Sequence, residues 1–235
     1  MSFDPGNRLI VALDVPDLTA ARALVGRIGG AASWVKIGLE LFIAAGPDVV
    51  TWMRASGHRV MLDLKLHDIP ETVARAMRQA TRLGAELITV HASGGRRMLG
   101  AAASATTGTA ARVLAVTVLT SMVDDDLDDI GARGPVAELV LRRAALAAAA
   151  GCHGVVASAQ EAAAIRAAVP PGFLIVTPGI RASGDAVGDQ RRVATASEAR
   201  RNGADLIVVG RPIRDAAEPA AVAAALAAEL IGAAS

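Results

Sequence analysis

The chain contains no tyrosine, one cysteine and, among its 24 basic residues, only two lysines. Each scarcity excludes something. Cys152 has no second cysteine to pair with, so no internal disulfide forms and a reducing compartment is the simpler reading. Aromatic residues make up 2% of the chain, which leaves Ala, Val, Leu and Ile to fill the core. A formal net charge of +1 supplies no electrostatic footprint for nucleic acid or an acidic membrane surface. No run reaches the roughly 18 apolar residues of a spanning helix; the alanine-rich tract 144–150 is too short and only weakly apolar. The start, Met1-Ser2-Phe3-Asp4-Pro5-Gly6, lacks the charged-then-apolar layout of a signal peptide. A soluble, cytoplasmic protein with neither a nucleic-acid nor a membrane partner is expected.

What is present is a regular alternation of short β-rich apolar runs and alanine-rich helical patterns. Strands are expected at Leu9–Asp14, Ser33–Gly38, Arg59–Lys65, Glu86–His91, Arg112–Leu119, Gly154–Ser158, Phe173–Thr177 and Asp205–Gly210. Helices are expected near 18–28, 40–55, 71–83, 96–105, 135–150, 159–168, 197–202 and 219–230. Pro70 and Pro135 suit first-turn positions, and Gly57, Gly84, Gly151 and Gly203 suit helix ends. Eight βα units in 235 residues close a (β/α)8 barrel, an α/β fold of about 200–250 residues. Such a parallel sheet is buried on both faces, as the aliphatic composition requires. No linker or composition shift marks a second domain, so residues 1–235 read as one catalytic barrel. An open doubly wound sheet is the alternative, but Ala12-Leu13-Asp14-Val15-Pro16 lacks the glycine-rich turn that usually follows its first strand.

In this fold the chemistry sits at the C-terminal ends of the strands. Those ends carry Asp14, Lys36, Asp63 with Lys65, His91, Thr120, Ser158, Pro178-Gly179 and Gly210-Arg211. Both lysines of the chain are among them. Arginine serves wherever a surface cation is needed, whereas lysine is a compact ammonium able to give up a proton. Asp63 and Lys65, two apart on a strand, share a face. Flanking carboxylates favour the ammonium form, which suits stabilising and protonating a carbanion better than Schiff-base attack. A structural ion pair in the barrel is the bland alternative, at the cost of desolvating several charges. Strand-end serines and threonines are commonly just helix caps.

The segments Thr177-Pro178-Gly179-Ile180-Arg181 and Val209-Gly210-Arg211-Pro212 suit the phosphate site that this fold builds after strands seven and eight. The Gly- and Arg-rich loop from Arg181 to Arg192 is long enough to act as a lid. His58, His67, His91 and His153 show no metal-ligand spacing. Asp124 to Asp129 reads as a solvated loop with a helix start. Cys152, Trp34 and Trp52 read as packing residues.

The cluster Asp63-x-Lys65-x-x-Asp68, followed by Ile69-Pro70-x-Thr72, resembles the motif of the orotidine 5′-phosphate decarboxylase family. So do Leu9-Ile-Val-Ala-Leu-Asp14, Val35-Lys36-Ile-Gly-Leu-Glu-Leu41, Val118-Leu-Thr120-Ser121, Pro178-Gly-Ile-Arg181, Asp189-Gln190-Arg191-Arg192 and Val209-Gly210-Arg211-Pro212, in order along nearly the whole chain. The resemblance implies conversion of orotidine 5′-phosphate to uridine 5′-phosphate and CO2, the last step of pyrimidine nucleotide synthesis, without metal or cofactor. It implies that Lys65 donates the proton, that Asp63 lies beside the departing carboxylate, and that Asp68 reaches in from the second subunit of a homodimer with shared active sites. Asp14 and Lys36 would hold the ribose, assisted by the neighbouring subunit's Ile69–Thr72 segment, with Ile69 and Thr72 as substrate-binding residues. Thr120 would contact the pyrimidine; Arg181, Gln190, Gly210 and Arg211 would bind phosphate or fold a lid over it. With no tyrosine, any aromatic contact to phosphate is missing. Two rivals remain: Mg2+-dependent sugar-phosphate lyases that share Asp-x-Lys-x-x-Asp but have a glutamate in strand two where this chain has Lys36, and a non-catalytic barrel that binds phosphate ligands.

Overall fold

The computed structural model describes residues 8–180 and 194–233. Eight parallel strands close into a barrel in sequence order: β1 Leu9–Ala12, β2 Trp34–Ile37, β3 Arg59–Leu66, β4 Leu87–His91, β5 Arg112–Val116, β6 Gly154–Val156, β7 Leu174–Thr177 and β8 Leu206–Val209. Closure is made by β1 against β8, with Leu9, Ile10 and Val11 opposite Ile207, Val208 and Val209. All eight expected strands are present. Most are shorter than their apolar runs, because the last residues of each run leave the ladder to form the mouth.

The helices are α1 Leu18–Ile28, α2 Leu39–Ala45, α3 Asp48–Ala55, α4 Pro70–Arg82, α5 Gly95–Ser104, α6 Asp126–Asp129, α7 Val136–Ala149, α8 Ala159–Ala168, α9 Ala196–Arg201, α10 Arg211–Arg214 and α11 Pro219–Gly232. The single helix expected near 40–55 is instead two. Gly46 takes φ +65 and Pro47 follows, which ends α2 and restarts the chain as α3. The short helix α10 had no periodic signal at four residues. Gly57, Gly84, Gly151 and Gly203 all hold left-handed φ values of 85–95° at helix ends, the role expected of them. The aspartate-rich loop organises its own turn: Asp126 accepts from Val123 N–H and Asp124 from Val136 N–H, both at 2.8 Å.

Alternation along the strands sorts the core into two parts. Inward-pointing Ile10, Trp34, Met61, Leu87, Leu114, Leu174, Leu206 and their neighbours fill the barrel, so it is a packed core and not a pore. Outward-pointing residues join the helices in the larger cluster. Cys152 is buried, and burial pushes its thiol pKa up to about 12, so it behaves as a small apolar side chain. Among the described residues no helix is long and apolar enough to cross a membrane.

Candidate active site

A cavity of about 480 Å3 opens at the C-terminal ends of the strands. Its floor is Ala12, Met61, Val156 and Val208, the top of the packed barrel interior. Its walls are Asp14, Lys36, Asp63, Lys65, Thr120, Pro178, Gly179, Gly210, Arg211 and Arg214. Nine of the residues singled out as strand-end candidates therefore meet in one place, from β2, β3 and the segments after β1, β5, β7 and β8. Ser158 does not: it is buried and caps α8 by accepting from Gln160 N–H. His91 is half-buried and does not line the cavity; its ring stands 5.6 Å from that of His67.

The charges form a chain of alternating sign. Lys36 Nζ donates to Asp14 Oδ1 at 2.8 Å and stands 3.7 Å from Asp63 Oδ2. The same Oδ2 accepts from Lys65 Nζ at 2.8 Å. Side-chain exposure is 46% for Asp14, near 10% for Lys36 and Asp63, and 30% for Lys65. The centre of the array is thus dry and its two ends reach the cavity. Burial alone would raise the pKa of Asp63; the charges of Lys36 and Lys65, with hydrogen bonds from Lys65 and Thr89, outweigh it and hold the carboxyl below its usual range. Asp63 is an anion fixed between two cations.

Lys65 takes φ +50, the one non-glycine residue in the left-handed region among those described. That conformation costs roughly 1–2 kcal/mol, and such strain clusters where function holds it in place. Gly38 makes room for the array, since a Cβ there would lie 3.0 Å from Lys36 Nζ and 3.2 Å from Asp14 Oδ1.

Asp68, Ile69 and Thr72 are brought to the rim but not into the cavity. All three are exposed, Ile69 to 67%, and Asp68 Oδ1 accepts from the backbone N–H of Ile69 at 2.6 Å. Arg181 and Gln190, with the loop expected to serve as a lid, lie outside the described residues.

Residues 7–226 match the sequence model of the "Orotidine 5'-phosphate decarboxylase / HUMPS family". The chain belongs to the orotidine 5′-phosphate decarboxylase / HUMPS family. It is 52% identical to an orotidine 5′-phosphate decarboxylase of Anaeromyxobacter dehalogenans over 226 residues, covering 96% of this chain and 99% of the relative. It is 51% identical to the enzyme of that name from Halorhodospira halophila over 235 residues, covering 99% and 100%. The crystal structure of orotidine 5′-phosphate decarboxylase from Lactobacillus acidophilus superposes with a TM-score of 0.86 at 37% identity, covering 95% of this chain and 99% of that one.

In this family member two polar contributors escaped the sequence reading. Arg214 lines the cavity and donates to the backbone carbonyl of Asp14 at 2.9 Å, tying α10 to the end of β1. The signal was its position three residues after Arg211, one turn further round a helix. Thr89 is fully buried and bonds to both Asp63 and Lys65. Its inward parity, two residues before His91, was legible; its partners were not.

Proposed function

We propose that this chain is a carboxy-lyase that converts orotidine 5′-phosphate to uridine 5′-phosphate and CO2 in pyrimidine synthesis, with no metal or cofactor, and that the barrel is the whole catalytic unit. The observation that carries this reading is the Asp14–Lys36–Asp63–Lys65 array at the cavity wall. The bond from the pyrimidine ring to its carboxylate breaks, CO2 leaves, and the electron pair stays on the ring carbon. The barrier reduction required is large, on the order of 20 kcal/mol. Lys65 is the fixed ammonium that stabilises this charge as it forms and then transfers its proton to the carbon. Asp63 holds Lys65 in place and lies beside the departing carboxylate.

Asp14 and Lys36 bind the ribose hydroxyls and Thr120 contacts the base. Gly210 and Arg211, with Arg181 and Gln190, bind the phosphate. Contacts to phosphate and ribose are remote from the reacting carbon, so their binding energy is available to assemble the site. Asp68, Ile69 and Thr72 serve the site of a second copy in a homodimer. Their exposure fits that role, as do the exposed apolar side chains of Leu39, Ile43 and Leu119 at the same end of the barrel. The substrate is a free nucleotide, and the reaction belongs in the cytoplasm. Against a Mg2+-dependent lyase stands Lys36, whose ammonium lies between the two carboxylates that a cation would need.

The test is to incubate the purified protein with orotidine 5′-phosphate and EDTA and to follow the loss of ultraviolet absorbance. Turnover is expected. A folded protein without turnover would sink the reading, and turnover abolished by EDTA would favour the metal-dependent lyase. For the dimer, inactive Lys65→Ala and Asp68→Asn chains are mixed, and hybrids should regain activity. No recovery despite subunit exchange would mean that Asp68 serves its own chain's site.

A further inference from the structure

The ladder between β3 and β4 is regular to Leu62 opposite Ile88 and resumes at Leu66 opposite Val90. Three residues of β3, Asp63, Leu64 and Lys65, therefore face one residue of β4, Thr89. Two extra residues is an even number, so the alternation of faces survives and both charged side chains still point inward. The interruption also removes the regular acceptor for the Lys65 backbone N–H. Thr89 Oγ1 accepts that N–H at 2.9 Å. The same hydroxyl donates its proton to Asp63 Oδ1, also at 2.9 Å. The directions are forced, because an ionised carboxylate only accepts and a backbone N–H only donates.

We propose that Thr89 is a positioning residue for the charge array. Its single hydroxyl fixes the left-handed Lys65 backbone and the Asp63 carboxylate relative to each other, which leaves Asp63 Oδ2 to hold both ammonium groups. The proposal rests on the carboxy-lyase reading above. Thr89 itself is fully buried and does not line the cavity, so it acts through Asp63 and Lys65 and not on the substrate. A valine would fill the same volume, yet it would leave a buried N–H and a buried carboxylate oxygen without partners.

The experiment compares native enzyme, Thr89→Val and Thr89→Ser by steady-state kinetics, with uridine 5′-phosphate affinity measured by calorimetry. Thr89→Val should lower kcat by about ten- to a hundred-fold, the range for a hydrogen bond to a charged group. KM and uridine 5′-phosphate affinity should stay within about threefold, and Thr89→Ser should recover kcat to within about threefold of native. Native turnover by Thr89→Val would overturn the proposal, as would equal impairment of the valine and serine variants. Loss of product affinity in step with kcat would also overturn it, because that marks general collapse of the site. Should Thr89→Val not fold, Thr89→Ser and Thr89→Ala, which differ only in the hydroxyl, carry the same comparison. A native protein without turnover sinks the function reading instead. The positioning claim then stands or falls on a crystal structure of Thr89→Val, in which the 2.8 Å contact of Lys65 with Asp63 should be lost.

Discussion

The two ends of the barrel use charge in opposite ways. At the N-terminal end of the strands, Glu86 accepts from Arg59 at 2.7 and 2.9 Å and also from Arg54. The Arg59 guanidinium lies 4.0 Å over the ring of fully buried Trp34, closing the bottom of the barrel. Asp205 likewise joins Arg166 to the Ile175 N–H. These cations are arginines, whose planar forks make several fixed bonds at once and never lose their charge. At the mouth the core of the array uses lysines, one flanked by a strained backbone and a broken ladder. Regular ladders and saturated arginines belong to the end that holds the fold together. Interrupted pairing and a lysine with an accessible end belong to the end where chemistry is proposed.

The sharpest way to break this contrast is Lys65→Ala. Loss of the proposed proton donor and its field should lower kcat on the order of 10⁴-fold or more while product binding stays measurable, as read by absorbance and calorimetry. Near-native turnover would demote the array to a structural feature. At the opposite end, Asp205→Ala should lower stability by about 1–3 kcal/mol, because it removes the carboxylate partner of Arg166, which keeps its bonds to the Phe173 and Gly203 carbonyls, and takes the acceptor from the Ile175 N–H. Thermal melting should fall by several degrees with kcat unchanged, and a comparable loss of kcat in the folded variant would show that the two ends are coupled. Gly38→Ala is a finer probe. Its Cβ crowds Lys36 and Asp14, so KM should rise by roughly three- to tenfold, as for a ground-state binding contact, with kcat less affected.

The smallest effect is in the pH dependence of stability. Burial lowers the pKa of His58, His91 and His153, opposed at His58 by a backbone hydrogen bond to Ala32 and reinforced at His91 by His67, Lys65 and Arg143 and at His153 by Arg112. Their folded pKa values lie below the unfolded value near 6.5, so the unfolded chain takes up protons first as pH falls. The stabilisation is complete above that value and declines as pH drops towards the folded pKa values. His153 contributes from the structural end, where its Nδ1 accepts from Val113 N–H at 3.1 Å and must stay unprotonated. Thermal melts at pH 7.5 and 5.5 should show a decline that His153→Asn, which retains an acceptor oxygen, makes shallower. An equal or steeper decline in the variant would remove His153 from this account.

Much of this organisation was legible in one sequence. Eight β-rich runs and glycine-punctuated helices specify the barrel because each run has too few residues, and too many β-branched ones, to be anything but a buried strand. Strand-end position then selects Asp14, Lys36, Asp63, Lys65, Thr120, Gly210 and Arg211 as neighbours, although they are up to 197 positions apart, because closure of the barrel brings all the strand ends together. The split of the second helical segment was written in Gly46-Pro47 and passed over because the apolar pattern continues across it.

The role of Thr89 was different in kind. A threonine in an apolar strand is ordinary, and nothing local marks it as the partner of both Asp63 and Lys65. By itself the sequence determined the strand count, the inward parity of the charged residues and the unusual placement of both lysines, since these depend on local periodicity and composition. Only the tertiary structure decided the register of β3 against β4, the left-handed turn at Lys65 and the order Asp14–Lys36–Asp63–Lys65. Those are long-range matters: which hydrogen bond a backbone group makes at an interrupted ladder, and which charge stands nearest another, depend on strands that the chain brings together only when the barrel closes.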